Sequence, residues 1–158
     1  MLIRTATPLD LPAIAALHIG VIEELRGLAP EGFGASLESV PGTGDFTGKF
    51  RDMIDDSDCT LLLAEDAGRI VALANGWVEE HGDDLLEAPF FTIEYVEVHP
   101  EYRGRGLAGE LIAALETEAQ RRGIRRVDLL VMENNAGARK LYTQLGYQPL
   151  ELRLGKVL

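Results

Sequence analysis

The run Val96-Glu97-Val98-His99-Pro100-Glu101-Tyr102-Arg103-Gly104-Arg105-Gly106-Leu107-Ala108-Gly109-Glu110-Leu111-Ile112-Ala113-Ala114-Leu115-Glu116 reads as a strand end, a stop and a glycine-rich helix entrance. Phe91 to Val98 is aromatic and β-branched enough for a strand, Pro100 cannot continue a ladder, and Leu107, Leu111, Ile112 and Leu115 recur at helical spacing. Gly104, Gly106 and Gly109 fall at the entrance, with Arg103 and Arg105 interleaved. A helix N-terminus presents unpaired N–H groups and the positive end of the macrodipole, and glycine lets a ligand reach that backbone without meeting a Cβ. The stretch is an anion site, phosphate first. Glycines serving only turn and packing are the alternative, and the paired arginines weigh against it.

Upstream, Cys59–Glu65 and Arg69–Glu79 are apolar strands joined by the hairpin signal Asp66-Ala67-Gly68. Phe90 to Val98 follows an acidic connection over 80–89 and completes an antiparallel meander. Hairpins in that place remove the reading of Gly104-x-Gly106 as a dinucleotide fingerprint, which needs a parallel βαβ unit. Leu2 to Ala6 is a short strand. Thr7-Pro8-Leu9-Asp10 starts a helix of about five turns with the stripe Leu11, Ile14, Leu17, Val21, Ile22 and Leu25. His18 beside that stripe is read as structural, since no second ligand stands at metal spacing. Residues 26–48 carry too many glycines and prolines for a regular element, and Phe46–Ile54 has a short amphipathic helix pattern. Asp55-Asp56-Ser57-Asp58 is a solvated turn, lacking the glycine and glutamate of an EF-hand loop. Beyond the glycine-rich helix, which should end near Gly123, a buried strand is expected over Arg126–Met132, a helix over Asn135–Leu145 stopped by Gly146, and a last strand over Tyr147–Val157. The predicted class is α+β: one domain over 1–158, a mixed and mainly antiparallel sheet with helices on its faces.

The net charge of −11 argues against nonspecific nucleic-acid binding. Its distribution is uneven: residues 1–99 hold 5 Lys+Arg against 19 Asp+Glu, whereas residues 100–158 hold 10 against 7. An anionic ligand suits the C-terminal third, and a cationic one the acidic remainder, whose alternative role is a solvating surface. No apolar run approaches the ~20 residues of a membrane span. No secretory pattern precedes Met1-Leu2-Ile3-Arg4, and Cys59 is the only cysteine, so no intrachain disulfide or Cys-rich zinc site is expected. These features predict a cytoplasmic protein.

Taken in order, the residues resemble the GCN5-related N-acetyltransferases, which move an acetyl group from acetyl-CoA to an amine. The resemblance covers nearly the whole chain. It rests first on Arg103-Gly104-Arg105-Gly106-Leu107-Ala108 after Val96-Glu97-Val98-His99-Pro100, and second on Asn135-x-x-Ala138-x-x-Leu141-Tyr142 followed by Leu145-Gly146-Tyr147. It implies that the backbone of Arg103, Gly104, Arg105, Gly106, Leu107, Ala108 and Gly109 holds the CoA pyrophosphate, and that Val96, Glu97 and Val98 pair with the pantetheine arm as with an added strand. Asn135 and Ala138 correspond to positions at the cofactor, and Tyr142 to a phenol aimed at its sulfur, suited to protonating the leaving thiolate. The alternative for Tyr142 is a core aromatic beside Leu141 and Leu145.

A base is harder to read. Strict alternation puts Thr92, Glu94, Val96 and Val98 on one strand face, which makes Glu94 the candidate, with Glu97, His99 and His81 behind it; a bulge would break that alternation. The alternative for Glu94 is an ordinary paired or solvated strand carboxylate. Acetyl-CoA is the expected co-substrate, without a metal. The acidity of the early segments suits a cationic small-molecule or peptide amine as acceptor, and the resemblance is compatible with a homodimer. A non-catalytic acyl-CoA-binding module of the same fold is the other reading.

Overall fold

The computed structural model describes residues 1–25 (without the Leu25 side chain), 46–80, 89–151 and 156. In chain order it holds β1 (Leu2–Thr5), α1 (Leu11–Leu25) entered through a 3-10 turn at Pro8–Asp10, α2 (Phe46–Asp55), β2 (Cys59–Asp66), β3 (Arg69–Glu79), β4 (Phe90–Val98), α3 (Leu107–Arg121), β5 (Val127–Leu129) and α4 (Ala136–Gln144). The five strands form one sheet in chain order, antiparallel from β1 to β4 and parallel between β4 and β5. The expected mixed sheet flanked by helices is therefore present.

Local chemistry accounts for the joints. The Asp10 carboxylate accepts from the Thr7 N–H and hydroxyl, each at 2.8 Å, and so fixes the entrance to α1. Ala67 and Gly68 both take positive φ, 48° and 84°, as a two-residue hairpin turn requires. α3 ends where expected: Gly123 sits at φ 80°, and Ile124 N–H and Gly123 N–H return to the Ala119 and Gln120 carbonyls, both 2.9 Å.

Two cores follow from the two faces of the sheet. α3 lays Leu107, Leu111, Ile112, Leu115 and Ala119 against Phe91, Ile93, Val71 and Ala74. α1 and α2 lay Leu11, Ile14, Leu17, Phe50 and Met53 against Leu61, Leu63 and Leu73 on the other face. Burial of each large side chain contributes about 1.5–3 kcal/mol relative to exposure, so the layers hold the sheet from both sides. His18 belongs to the second core and is buried at 2% exposure, deeper than its place beside the helix stripe suggests.

Three expectations need correction. The buried strand over Arg126–Met132 is only Val127–Leu129, because Leu130 leaves the sheet and is 92% exposed. The last strand does not begin at Tyr147: residues 147–151 are irregular, and most of the remainder lies outside the described residues. Residues 46–48, counted within the irregular segment, open α2; residues 26–45 and the connection over 81–88, His81 included, lie outside the description.

Candidate active site

The sheet forks at the middle of β4. Its pairs with β5 are Phe91↔Val127, Thr92↔Asp128 and Ile93↔Leu129, and they stop there, so from Glu94 onward the β5 side of β4 is a free edge among the described residues. Which groups face that edge follows from the other side. His99 N–H bonds the Val71 carbonyl of β3 at 2.9 Å, and strand alternation then turns Glu97 N–H to β3 but Val96 and Val98 N–H to the fork. Of the three strand residues expected to meet a pantetheine arm, Val96 and Val98 present their backbone and Glu97 does not. Part of that edge is already engaged, since Arg103 Nε donates to the Val98 carbonyl at 3.0 Å.

The fork coincides with a bulge. Asn75 pairs with Tyr95 and Gly76 with Ile93, which leaves Glu94 as the extra residue. The bulge resets the alternation: Phe91, Ile93, Val96 and Val98 pack toward α3, whereas Tyr95 packs toward α1 and α2 and Glu97 meets His18 of α1. Glu94 therefore does not share a face with Val96 and Val98, as strict alternation predicts. It turns to the α2 side, where its carboxylate accepts from Trp77 Nε1 at 3.0 Å, Asn75 Nδ2 at 3.4 Å and Lys49 Nζ at 3.3 Å. Burial raises its pKa, but the Trp77 and Tyr95 hydrogen bonds and the Lys49 charge outweigh it and hold the carboxyl below its ordinary range. A carboxylate so held anchors an ammonium better than it abstracts a proton.

Asn75, Trp77 and Lys49 had no place in the sequence reading. Asn75 is fully buried, and its Oδ1 accepts Tyr95 N–H at 3.0 Å, filling the gap that the bulge opens. The available signal was a lone amide inside the apolar run Val71-Ala72-Leu73-Ala74-Asn75. Glu97 and His99, the weaker base candidates, are both engaged. Glu97 Oε1 lies 2.6 Å from His18 Nδ1 in a buried pair ringed by Phe46, Phe50 and Tyr95, and His99 Nε2 lies 2.8 Å from Arg69.

At the helix entrance, Gly104 and Gly106 take φ of 72° and 87°. The first bond of the α3 ladder is Glu110 N–H to the Gly106 carbonyl, so the N–H groups of Leu107, Ala108 and Gly109 precede it. A Cβ at Gly104 or Gly109 would meet no described residue within 4 Å, which leaves space over this backbone among the described residues. The arginines brace the loop instead of facing that space: Arg103 pairs with Glu24 of α1, and Arg105 donates to the Glu101 carbonyl at 2.8 Å and lies over the Tyr102 ring. Attraction for an anion here comes chiefly from the backbone and the helix dipole.

Across the fork, Asn135 caps α4, its Oδ1 accepting Ala138 N–H at 3.1 Å. Tyr142 packs on the rim of the α3-side core, and its hydroxyl makes no hydrogen bond among the described residues. Burial pushes its pKa up, so the phenol keeps its proton at neutral pH. Tyr147 holds α4 to α3 by donating to Glu116 Oε1 at 2.8 Å. Among the described residues no group of His, Cys, Asp and Glu is arranged to hold a metal ion, and no helix is long and apolar enough to cross a membrane.

Residues 22–147 match the Acetyltransferase (GNAT) family. The chain belongs to the GNAT family. An acetyltransferase of Pectobacterium atrosepticum is 35% identical over 97 residues, which span 61% of this chain and 63% of that relative, less than two thirds of its length. Among solved structures, a tetramutant of the BH1408 protein of Bacillus halodurans superposes with a TM-score of 0.85 at 20% identity, covering 100% of both chains. A predicted acetyltransferase of Clostridium acetobutylicum, solved with acetyl-CoA, gives 0.77 at 18% identity over 99% of this chain and 95% of that one. These neighbours share the layered sheet, and among its described residues this chain holds two features whose chemistry suits a CoA thioester: an open helix N-terminus for phosphates and a free strand edge for an amide-bearing arm.

Proposed function

We propose that this GNAT protein transfers the acetyl group of acetyl-CoA directly to a primary amine. The observation that carries the reading is the fork, where Val96 and Val98 present their backbone to an edge that no described strand occupies, together with the open N–H groups of Leu107 to Gly109. The pantetheine arm pairs with that edge and the pyrophosphate meets the α3 entrance from Arg103 to Gly109, with Asn135 and Ala138 across from it. Val96 N–H polarises the thioester carbonyl in this reading. Glu94 holds the incoming ammonium and passes its proton to water, and Tyr142 protonates the departing sulfur. Direct transfer is supported by Cys59: the thiol is buried, and burial pushes its pKa up to about 12, so it is no acetyl carrier. The acidic early segments favour a cationic acceptor.

The test pairs calorimetry with an amine panel read by mass spectrometry. Wild-type protein should bind acetyl-CoA and acetylate at least one amine, whereas Gly106→Asp should fold and lose binding. At φ 87° aspartate strains the backbone, so circular dichroism must show that the variant is folded, and its carboxylate then stands against the N–H groups that would hold phosphate. Unchanged affinity in that variant would refute the assignment of the α3 entrance, and tight CoA binding without acetylation of any amine would favour the non-catalytic module.

A further inference from the structure

The chain brings an amine of its own to the fork. Lys49 on α2 is one of three lysines. Its Nζ lies 3.3 Å from Glu94 Oε1, donates to the Tyr95 hydroxyl and stands 4.7 Å from the centre of the Tyr95 ring. A carboxylate, a phenol and an aromatic face around one ammonium are the contacts an acceptor amine needs. Glu94 is also the first residue of β4 beyond its last pair with β5, and Tyr95 immediately precedes Val96, whose N–H faces the free edge.

We propose that Lys49 is a self-acetylation site: with acetyl-CoA along the fork and no acceptor present, the Lys49 amine takes the acetyl group. This rests on the acetyl-CoA reading of the fork. The ammonium, held by Glu94, first gives a proton to water. The free amine then attacks the thioester carbonyl carbon, the C–N bond forms, the nitrogen gives its second proton to water to become the amide, the C–S bond breaks, and the sulfur takes a proton from Tyr142, which water restores, and leaves as the free thiol of CoA. No oxidant, reductant or metal is required. Burial lowers the Lys49 pKa, but the Tyr95 hydroxyl and the Glu94 charge raise it further, so little free amine is present and the event is slow, once per chain. Acetylation removes the cation that faces Glu94 and leaves that carboxylate open to an external ammonium.

The experiment incubates the full chain with acetyl-CoA and no added amine, then maps acetyl-lysine by digestion and mass spectrometry. Lys140 on α4 and Lys156 are exposed and serve as internal controls for uncatalysed acetylation. Lys49 should be modified about tenfold faster than either, or more, because the reacting groups are held together, with a rate constant independent of protein concentration. Lys49→Arg should bind acetyl-CoA with wild-type affinity by calorimetry and accumulate only the slow label of the other two lysines. Equal labelling of all three lysines would overturn the proposal, as would an unmodified Lys49 in protein shown by calorimetry to bind acetyl-CoA, an outcome that leaves the reading of the fork intact. Failure to bind acetyl-CoA at all would remove both.

Discussion

Tyr142 combines two features that suit it to acid work. Its ring is held on the core rim, in contact with Tyr147 at 6.0 Å between centroids, and its carbonyl accepts Tyr147 N–H at 2.9 Å, so the side chain is fixed at both ends of its own residue. Its hydroxyl is protonated and has no partner among the described residues. Tyr142→Phe keeps the packing and removes only the proton donor. We expect kcat to fall about 10²-fold or more, with little change in acetyl-CoA affinity by calorimetry. Turnover at the wild-type rate would remove the acid role. A matched loss of affinity would instead place the hydroxyl in cofactor binding.

At the scale of elements, the decisive object is the bulge of β4 and the two residues of β3 that face it. Asn75 bonds the displaced backbone, and Gly76 makes room for the Phe91 ring: a Cβ at Gly76 would stand 2.0 Å from Phe91 Cε1, and that ring is fully buried. Gly76→Ala should therefore cost about 1–3 kcal/mol through overpacking. In urea this reads as a lower midpoint at constant slope, and Phe91→Leu in the same chain should recover part of the loss. A midpoint unchanged in Gly76→Ala would show that Phe91 moves aside freely. The order and type of the elements were legible because each has its own local chemistry: Thr7 and Asp10 at one helix start, Ala67-Gly68 in the hairpin, Gly123 after α3. The glycine turn and helix start from Gly104 to Leu107 were legible for the same reason. The direction of Glu94 was not, since alternation holds only without a bulge, and the bulge depends on Asn75 and Gly76 of a different strand. The reach of β5 was not legible either: Val127, Leu129, Leu130 and Val131 read as one apolar run, and what ends the strand is the fork itself.

For the molecule as a whole, α3 joins the two ends. Its N-terminus faces the candidate cofactor site, and its C-terminal turn is clamped to β2 by Arg122, which bonds the Ser57 carbonyl at 2.8 Å, the Thr60 hydroxyl at 3.1 Å and Glu118 Oε1 at 2.7 Å. Hydrogen bonding from Arg121 first, then from Arg122, overcomes the opposing effect of burial and lowers the Glu118 carboxyl to about 2. Asp10 is likewise held far below the carboxylate range, by Arg4 first. A carboxylate depressed in the folded state contributes stability above its ordinary pKa, and that contribution is lost as pH falls through the folded value. For Glu118 the window runs from about 4.5 down to about 2. The thermal midpoint of the wild type should fall across that window, while Glu118→Gln should start lower at neutral pH, fall less steeply and approach the wild-type curve near its acid end. Added salt should narrow the neutral-pH gap, since Arg121 is 72% exposed and its share of the pairing is screened. Parallel curves for wild type and variant would move the acid sensitivity away from this clamp and onto the Arg4–Asp10 pair at the entrance to α1.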